Sequence, residues 1–176
     1  METQAVVASS GMDRTMRVFT AVAAVVALCL PALAAEKYTG PRPPKADVPY
    51  LLHADNLVET EAGTASNDQR KDSTVAVIRG ANSSVKTPLS EPIFIIRTDQ
   101  LQADRLELYR LESKNGNREV VIGRKKGRNN LGRPVFLSVT RLDDRLYRVE
   151  VDEPLENGEY ALTPQGSDQT FCFAIY

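Results

Sequence analysis

The densest group of charged side chains in this sequence is the stretch GRKKGRNN at residues 123–130, which carries Arg124, Lys125, Lys126 and Arg128. Clustered cations of this kind bind phosphate, sulfate or acidic polymers, because binding releases counterions and the local potential is high. The alternative is a solvated loop whose charges keep a strand edge from pairing with a neighbour. No aromatic residue is interleaved to stack a base, so we expect contact with a protein or an anionic envelope polymer and not with nucleic acid.

Acidic side chains gather at a second place, where Asp152, Glu153, Glu156 and Glu159 are followed by Asp168. Carboxylates on loops at one end of a sandwich can hold calcium, which takes about six to eight oxygen ligands. The spacing of an EF-hand is absent, and the simpler interpretation is a solvated corner. A contact between this corner and the basic loop of a second copy would join the two patches head to tail and allow self-association.

Two residues are candidates for nucleophilic or general-base chemistry. His53 is the only histidine, and in a strand it would share one face with Asp55. Cys172 lies between Phe171 and Phe173, a setting typical of a small buried apolar residue. A Cys172–His53 pair lacks a third orienting group, and the sequence has no G-x-S-x-G elbow, phosphate loop or zinc spacing. We therefore expect no catalytic residue, cofactor or metal.

Composition and the N-terminal residues predict an exported protein. The formal net charge of −1 gives no reason to expect general affinity for nucleic acid or membranes. Arg14 and Arg17 precede an uncharged apolar run that ends in small residues, which predicts a secretory signal peptide at residues 1–34. A membrane anchor is the alternative, because the run is just long enough to span a bilayer. After cleavage only Cys172 would remain, so the fold would depend on its core in the periplasm or outside the cell, without an internal disulfide.

The rest of the chain divides into a Pro-rich arm and one domain. Four prolines in residues 35–49 favour an extended tether or docking strand. Residues 50–176 are predicted to form a single domain of strands. Runs of β-branched and aromatic residues predict strands at 50–58, 74–80 and 93–98, whereas the polar stretch 59–73 is predicted to be a long, mobile or functional loop.

One hairpin is predicted to turn at residues 115–116, because Asn-Gly is the favoured pair where both turn positions need positive φ. Counting outward from this turn opposes Leu111 with Val120 and Tyr109 with Ile122, which makes one apolar face. Glu112 then opposes Glu119, a conflict between like charges that Lys114 and Arg118 would relieve.

A second hairpin is predicted to turn at residues 143–145. This three-residue loop places Val139 against Val149 and Leu137 against Val151, whereas a two-residue loop would oppose Val139 to a charged residue. About eight strands at short spacing, with no helix after the signal peptide, predict an all-β sandwich or barrel.

The stretch LENGEYAL contains Leu155, Gly158 and Tyr160 in the pattern L-x-x-G-x-Y. It resembles the tyrosine corner of immunoglobulin-like and fibronectin-type sandwiches, in which the Tyr hydroxyl donates a hydrogen bond to the chain a few residues upstream. The resemblance implies an antiparallel, immunoglobulin-like β-sandwich of about eight strands. The chain as a whole also resembles exported bacterial β-proteins, which implies no activity.

We therefore expect an exported, non-catalytic binding or accessory module that contacts a protein or an envelope surface through the arm, the 123–130 loop and exposed strand edges. The second hypothesis is a structural subunit of an envelope assembly or filament, in which the arm pairs with the sheet edge of another copy. The third is an undetected hydrolase that uses His53 with nearby acids.

Overall fold

The computed structural model describes residues 37–124 and 132–176, and this part of the chain is all β apart from one 3₁₀ turn, η1, at Ala103–Arg105. The strands are β1 (Pro49–His53), β2 (Asn56–Glu59), β3 (Glu61–Thr64), β4 (Ser66–Gln69), β5 (Ser73–Arg79), β6 (Lys86–Thr87), β7 (Ile93–Arg97), β8 (Leu106–Lys114), β9 (Asn117–Arg124), β10 (Leu137–Asp143), β11 (Leu146–Val151), β12 (Gly158–Pro164) and β13 (Gln169–Ile175). The all-β class is thus confirmed.

The strands form two sheets that share one core. The smaller sheet has the order β10-β11-β7-β1-β2, and the larger has the order β3-β13-β12-β8-β9-β5-β4, with β6 added in parallel to β13. Leu51 and Phe94 from the smaller sheet pack in one buried cluster with Leu108, Phe171 and Phe173 from the larger. The rings of Phe94 and Phe173 meet edge to face at 5.2 Å. Burial of this apolar surface is the main stabilising contribution of the shared core.

The prediction of one strand at residues 50–58 is wrong. The segment is a hairpin of β1 and β2, in which His53 pairs with Asn56 around a two-residue turn. Ala54 has a φ of 51° in this turn, a left-handed conformation that the sequence gives no reason to expect of alanine. Because the chain reverses at Ala54, His53 and Asp55 do not share one face of a strand.

The prediction of a long loop at residues 59–73 is also wrong, because this stretch contains β3 and β4. The two strands are separated only by Ala65 and are exposed for much of their length. β3 pairs with β13 at one edge of the larger sheet, and β4 pairs with β5 at the other. The larger sheet therefore curls until one continuous segment joins its two edges. A segment exposed in this way needs no apolar alternation, which is the signal that sequence patterns detect.

Both predicted hairpin turns are present. Asn115 and Gly116 have φ values of 53° and 78°, and Glu112 opposes Glu119. The pairing of β8 with β9 ends at the pair Glu112–Glu119. Beyond this pair, the Gly132 N–H donates to the Val121 carbonyl of β9 at 2.6 Å, and Val135 forms a bridge with Leu108 of β8. The returning chain thus lies between the two strands.

The second hairpin, formed by β10 and β11, has the predicted register. Val139 opposes Val149 and Leu137 opposes Val151. The turn is shorter than the predicted loop, because Asp143 pairs with Leu146 after a register shift that begins at Arg141. Arg145 in this turn has a φ of 52°, a left-handed conformation. A non-glycine residue therefore occupies a position where glycine or asparagine is favoured.

Residues 37–48 lie against the sheets at several points. The Asp47 carboxylate accepts hydrogen bonds from three successive backbone N–H groups at residues 99–101, and Arg97 donates to the Pro44 carbonyl at 3.0 Å. Arg42 pairs with Asp143. The signal peptide predicted for residues 1–34 lies outside the described residues. No helix within the described ranges is long and apolar enough to cross a membrane.

Candidate ligand-binding site

The curled sheet encloses a cavity of about 300 Å³ on its inner face, which we call the inner cavity. Its apolar floor is formed by six side chains: Ala65, Ala76, Ile78, Leu111, Val120 and Ala161. Its mouth carries Asn67, Glu107, Tyr109, Thr163 and Asp168. An apolar floor with a few polar groups at the opening is the usual composition of a small-molecule site.

The space exists because large and small side chains alternate along the last two strands. On β12, Tyr160 and Leu162 point into the shared core while Ala161 points inward to the cavity. On β13, Phe171 and Phe173 fill the shared core and Cys172 lies on the inner face. Small residues on one face of a strand leave volume that neighbouring side chains do not fill.

Thr170 lines the inner cavity, and its side-chain oxygen is buried. The residue is 4% exposed, and its Oγ1 has no hydrogen-bond partner of nitrogen or oxygen within the described ranges. The Thr170 hydroxyl lies near the Cys172 thiol. Burial raises the pKa of that thiol to about 11, although hydrogen bonding with the Thr170 hydroxyl lowers this pKa. A buried hydroxyl without a strong partner costs free energy.

The mouth of the cavity is acidic. The Tyr109 hydroxyl donates to Glu107 Oε2 at 2.8 Å, and burial together with this carboxylate raises the pKa of Tyr109 to about 12. Tyr109 is therefore a neutral donor at physiological pH. Across the mouth, Asn67 Nδ2 lies 3.5 Å from Asp168 Oδ1. Two carboxylates thus border the opening, and no Lys or Arg lines it among the residues that the structure describes.

A buried ionic group lies at the opposite end of the inner face; we call Glu61, Ser83, Arg118 and Glu159 the Arg118 cluster. Arg118 is 1% exposed and donates to Glu61 Oε1 at 2.5 Å and to the Gly80 carbonyl at 3.0 Å. Its Nη1 has no hydrogen bond and lies 3.9 Å from Glu159. Strand register brings the three charged residues together. Each of them pairs with a member of the buried cluster on the inner face: Arg118 with Ile78, Glu61 with Cys172 and Glu159 with Leu111.

Hydrogen bonds set the ionisation of Glu61. Burial favours its neutral form, but hydrogen bonds from Arg118, Ser84 and Ser83 outweigh burial, and the pKa of Glu61 is lowered. The carboxylate is thus charged and joins β3 to β9 and to the loop before β6. The Arg118 cluster closes one end of the curled sheet.

The like-charge conflict between Glu112 and Glu119 is relieved by Lys114, as predicted, and by Arg70 in place of Arg118. Arg118 turns inward to Glu61, and it is Arg70, just after β4, that donates to Glu119 at 2.8 Å. This contact lowers the pKa of Glu119. The prediction named Arg118 because it is close in sequence, whereas Arg70 reaches Glu119 only through the curl of the sheet.

Most of the predicted polyanion site lies outside the residues that the structure describes. Lys125, Lys126 and Arg128 fall outside the described residues, and Arg124 is described only through its backbone, which ends β9 opposite Ser73. The proposed contact between this loop and an acidic polymer or protein therefore stays a prediction.

The other predicted residues are not brought together. His53 Nε2 lies 3.0 Å from Thr87 Oγ1, and Cys172 is fully buried on the inner face, where its raised pKa keeps the thiol protonated. These two residues make no hydrogen bond with each other, so they form no nucleophile pair.

The acidic corner is divided among separate partners. Glu156 pairs with Arg110 at 2.5 Å, Glu159 belongs to the Arg118 cluster, and Asp168 stands at the mouth of the inner cavity. In the described part of the chain, no group of three or more His, Cys, Asp or Glu side chains is placed to hold a metal ion. The carboxylates thus do not converge as a calcium site requires.

Sequence reasoning missed the inner cavity, although two signals point to it. β8 carries apolar side chains on both faces, with Leu108 in the shared core and Leu111 on the inner face. Small residues also alternate with large ones through β12 and β13. Comparison of the chain with protein-family models, curated proteins and solved structures gave no match.

Proposed function

We propose that the domain is an immunoglobulin-like sandwich. Taking β1, β7, β10 and β11 as strands A, B, D and E gives the order A-B-E-D in the smaller sheet. Taking β8, β9, β12 and β13 as C, C′, F and G gives the order C′-C-F-G in the larger. Both orders are those of immunoglobulin domains, with β2–β6 as an insertion between A and B.

The tyrosine corner supports the same assignment. Tyr160 enters β12, the penultimate strand, and its hydroxyl donates to the Glu156 carbonyl at 2.8 Å. Leu155 is buried beside it in the shared core. This is the position and the hydrogen bond that the corner has in strand F of such sandwiches.

The function that the geometry supports best is that of an exported, non-catalytic binding module whose ligand site is the inner cavity. The observation that carries this proposal is a cavity of about 300 Å³ that is lined by apolar side chains together with a few polar ones. Fully packed interiors have few voids larger than a water molecule. A preformed cavity with polar groups at its mouth is therefore better explained by a ligand than by packing alone.

The test is whether small amphiphiles bind and whether filling the cavity prevents it. We expect a six-carbon panel of 1-hexanol, hexylamine and hexanoate to contain at least one ligand detectable by calorimetry or by chemical shift changes of cavity residues. Ala161→Leu adds volume to the cavity floor and should abolish binding. The matched control is Ala62→Leu, on an exposed position of β3. Absence of binding by all three compounds would refute the proposal.

A second candidate function is a subunit that self-associates through a sheet edge. β10 ends the smaller sheet, and Phe136 immediately before it is 66% exposed. An edge strand offers unpaired backbone groups to another chain. Light scattering at increasing concentration tests this: growth in mass that Phe136→Ser suppresses supports self-association, and a monomer throughout excludes it.

A further inference from the structure

We infer that the inner cavity takes a cationic amphiphile, namely a short apolar body that carries a protonated amine at the mouth. This inference rests on the proposed function, because it names the chemical class of ligand for the same site. An aliphatic amine, or an amino group next to an apolar side chain in a peptide, has this chemistry. The deciding features are the row of polar side chains across the mouth and their charge.

The apolar floor of the inner cavity determines that the inserted part of the ligand is apolar. Its six apolar side chains offer no hydrogen-bonding group of their own, so only an apolar part of a ligand is compatible with it. The volume of about 300 Å³ is at the lower end of the range for small-molecule pockets, about 300–1,000 Å³. A short chain or one apolar side chain fits this volume.

The carboxylates at the mouth of the inner cavity determine the charge of the ligand's head group. Glu107 and Asp168 border the opening, and the aromatic ring of Tyr109 lies beside them. A carboxylate in the ligand would meet two like charges, whereas an ammonium would gain charge-assisted hydrogen bonds. The face of a tyrosine ring also attracts a cation. Glu107 keeps acceptor capacity after its bond with Tyr109, because a carboxylate offers about four lone-pair positions.

The register of the strands places Thr163 and Thr170 at the level of Glu107. Thr163 on β12 pairs with Glu107 on β8, and Thr170 directly precedes Phe171, which pairs with Leu162. Thr170 and Glu107 therefore lie at one level, two strands apart, with about 9–10 Å between their backbones. An ammonium carries three donors. It can thus donate to Glu107 and still offer donors to another acceptor that lines the cavity, such as Asp168.

The experiment compares hexylamine, 1-hexanol and hexanoate on the full chain at neutral pH, since the three share one apolar body. We expect hexylamine to bind about tenfold more tightly than hexanol, in line with the larger contribution of hydrogen bonds to charged groups, and hexanoate to bind most weakly. Equal affinity for amine and alcohol, or a preference for hexanoate, overturns the inference and leaves the proposed function intact. Absence of binding by all three refutes both.

Two variants locate the head group. Glu107→Gln and Asp168→Asn should each weaken hexylamine binding several-fold and leave hexanol binding unchanged. The matched control is Glu112→Gln, an exposed glutamate on the same strand that does not line the cavity; it should change neither affinity. If hexylamine binding is unaffected by both cavity variants, or is weakened equally by the control, the amine is not held at this row and the inference fails. The comparison of ligands on the unaltered chain stands even if a variant does not fold.

Discussion

Tyr160 shows how one side chain connects distant parts of this molecule. Its ring is buried and stacks on Phe173 with centroids 5.6 Å apart, while its hydroxyl reaches back to the Glu156 carbonyl. The hydrogen bond spans only four residues of sequence. This is why a short pattern, L-x-x-G-x-Y, was enough to predict it.

Tyr160→Phe is expected to lower the free energy of unfolding by about 1 kcal/mol, because it removes one hydrogen bond and leaves a carbonyl without its partner. Urea denaturation measures the change. Tyr147→Phe is the control, since the Tyr147 hydroxyl makes no hydrogen bond within the described residues and its loss should change stability little. Equal effects of the two variants would show that the corner bond does not stabilise the fold.

Arg118 is the residue whose removal should cost most. Arg118→Ala leaves Glu61 and Glu159 without their buried counter-ion, and loss of one partner of a buried pair costs about 3–5 kcal/mol. The double variant Arg118→Met with Glu61→Gln leaves only Glu159 without its counter-ion, so it should be more stable than Arg118→Ala alone. Calorimetric unfolding of both variants checks this order. The reverse order would mean that the pair itself stabilises the fold.

At the scale of elements, the β1–β2 hairpin carries strain at a single position. Ala54 holds a φ of 51° and is exposed, so glycine removes a steric cost without losing a contact. Ala54→Gly should raise the free energy of unfolding by about 0.5–1 kcal/mol. Ala62→Gly, in an exposed part of β3, should lower it by about the same amount. Urea midpoints for the two variants should therefore move in opposite directions, and a loss of stability in Ala54→Gly would show that the turn is not strained.

The elements that could be predicted are those specified by nearby residues. The Asn-Gly turn, the register of β10 with β11 and the strand β7 all follow from local patterns. β3 and β4 could not be predicted, because their polar residues become strands only by pairing with β13 and β5. The turn at Ala54 escaped prediction because alanine gives no turn signal.

The candidate site was harder to predict than the fold. The apolar face of Tyr109, Leu111, Val120 and Ile122 followed from the hairpin register, and all four side chains do line the inner cavity. Their enclosure depends on the curl of the larger sheet, which no local pattern encodes. The Arg118 cluster depends on the same curl, since Arg118 and Glu61 are 57 positions apart in sequence.

At the scale of the whole molecule, three carboxylates join distant segments of the chain. We therefore expect the free energy of unfolding to fall at acidic pH. The pKa of Glu119 is lowered by Arg70; those of Asp47 and Glu61 are lowered because hydrogen bonds outweigh burial. A carboxyl whose folded pKa lies below its unfolded value stabilises the fold above the unfolded value, which is about 4. That contribution is lost as the pH falls through the folded pKa.

The free energy of unfolding should therefore decrease between pH 5 and pH 3 by more in the unaltered chain than in the variants Glu61→Gln and Asp47→Asn. Each variant lacks one group that takes up a proton on unfolding. Urea titrations at several pH values measure these slopes. The control is Thr64→Ser, a neutral substitution at an exposed position of β3, which should keep the slope of the unaltered chain. Stability independent of pH in this range would contradict the role of these carboxylates.

The segment that joins the two edges of the larger sheet imposes an order on biosynthesis. Glu61 pairs with Cys172, so β3 has no partner on this edge until β13, at residues 169–175, has been synthesised. Until then, Arg118 lacks the sheet edge that holds Glu61 beside it. β3 therefore joins the larger sheet only after more than a hundred further residues have been synthesised.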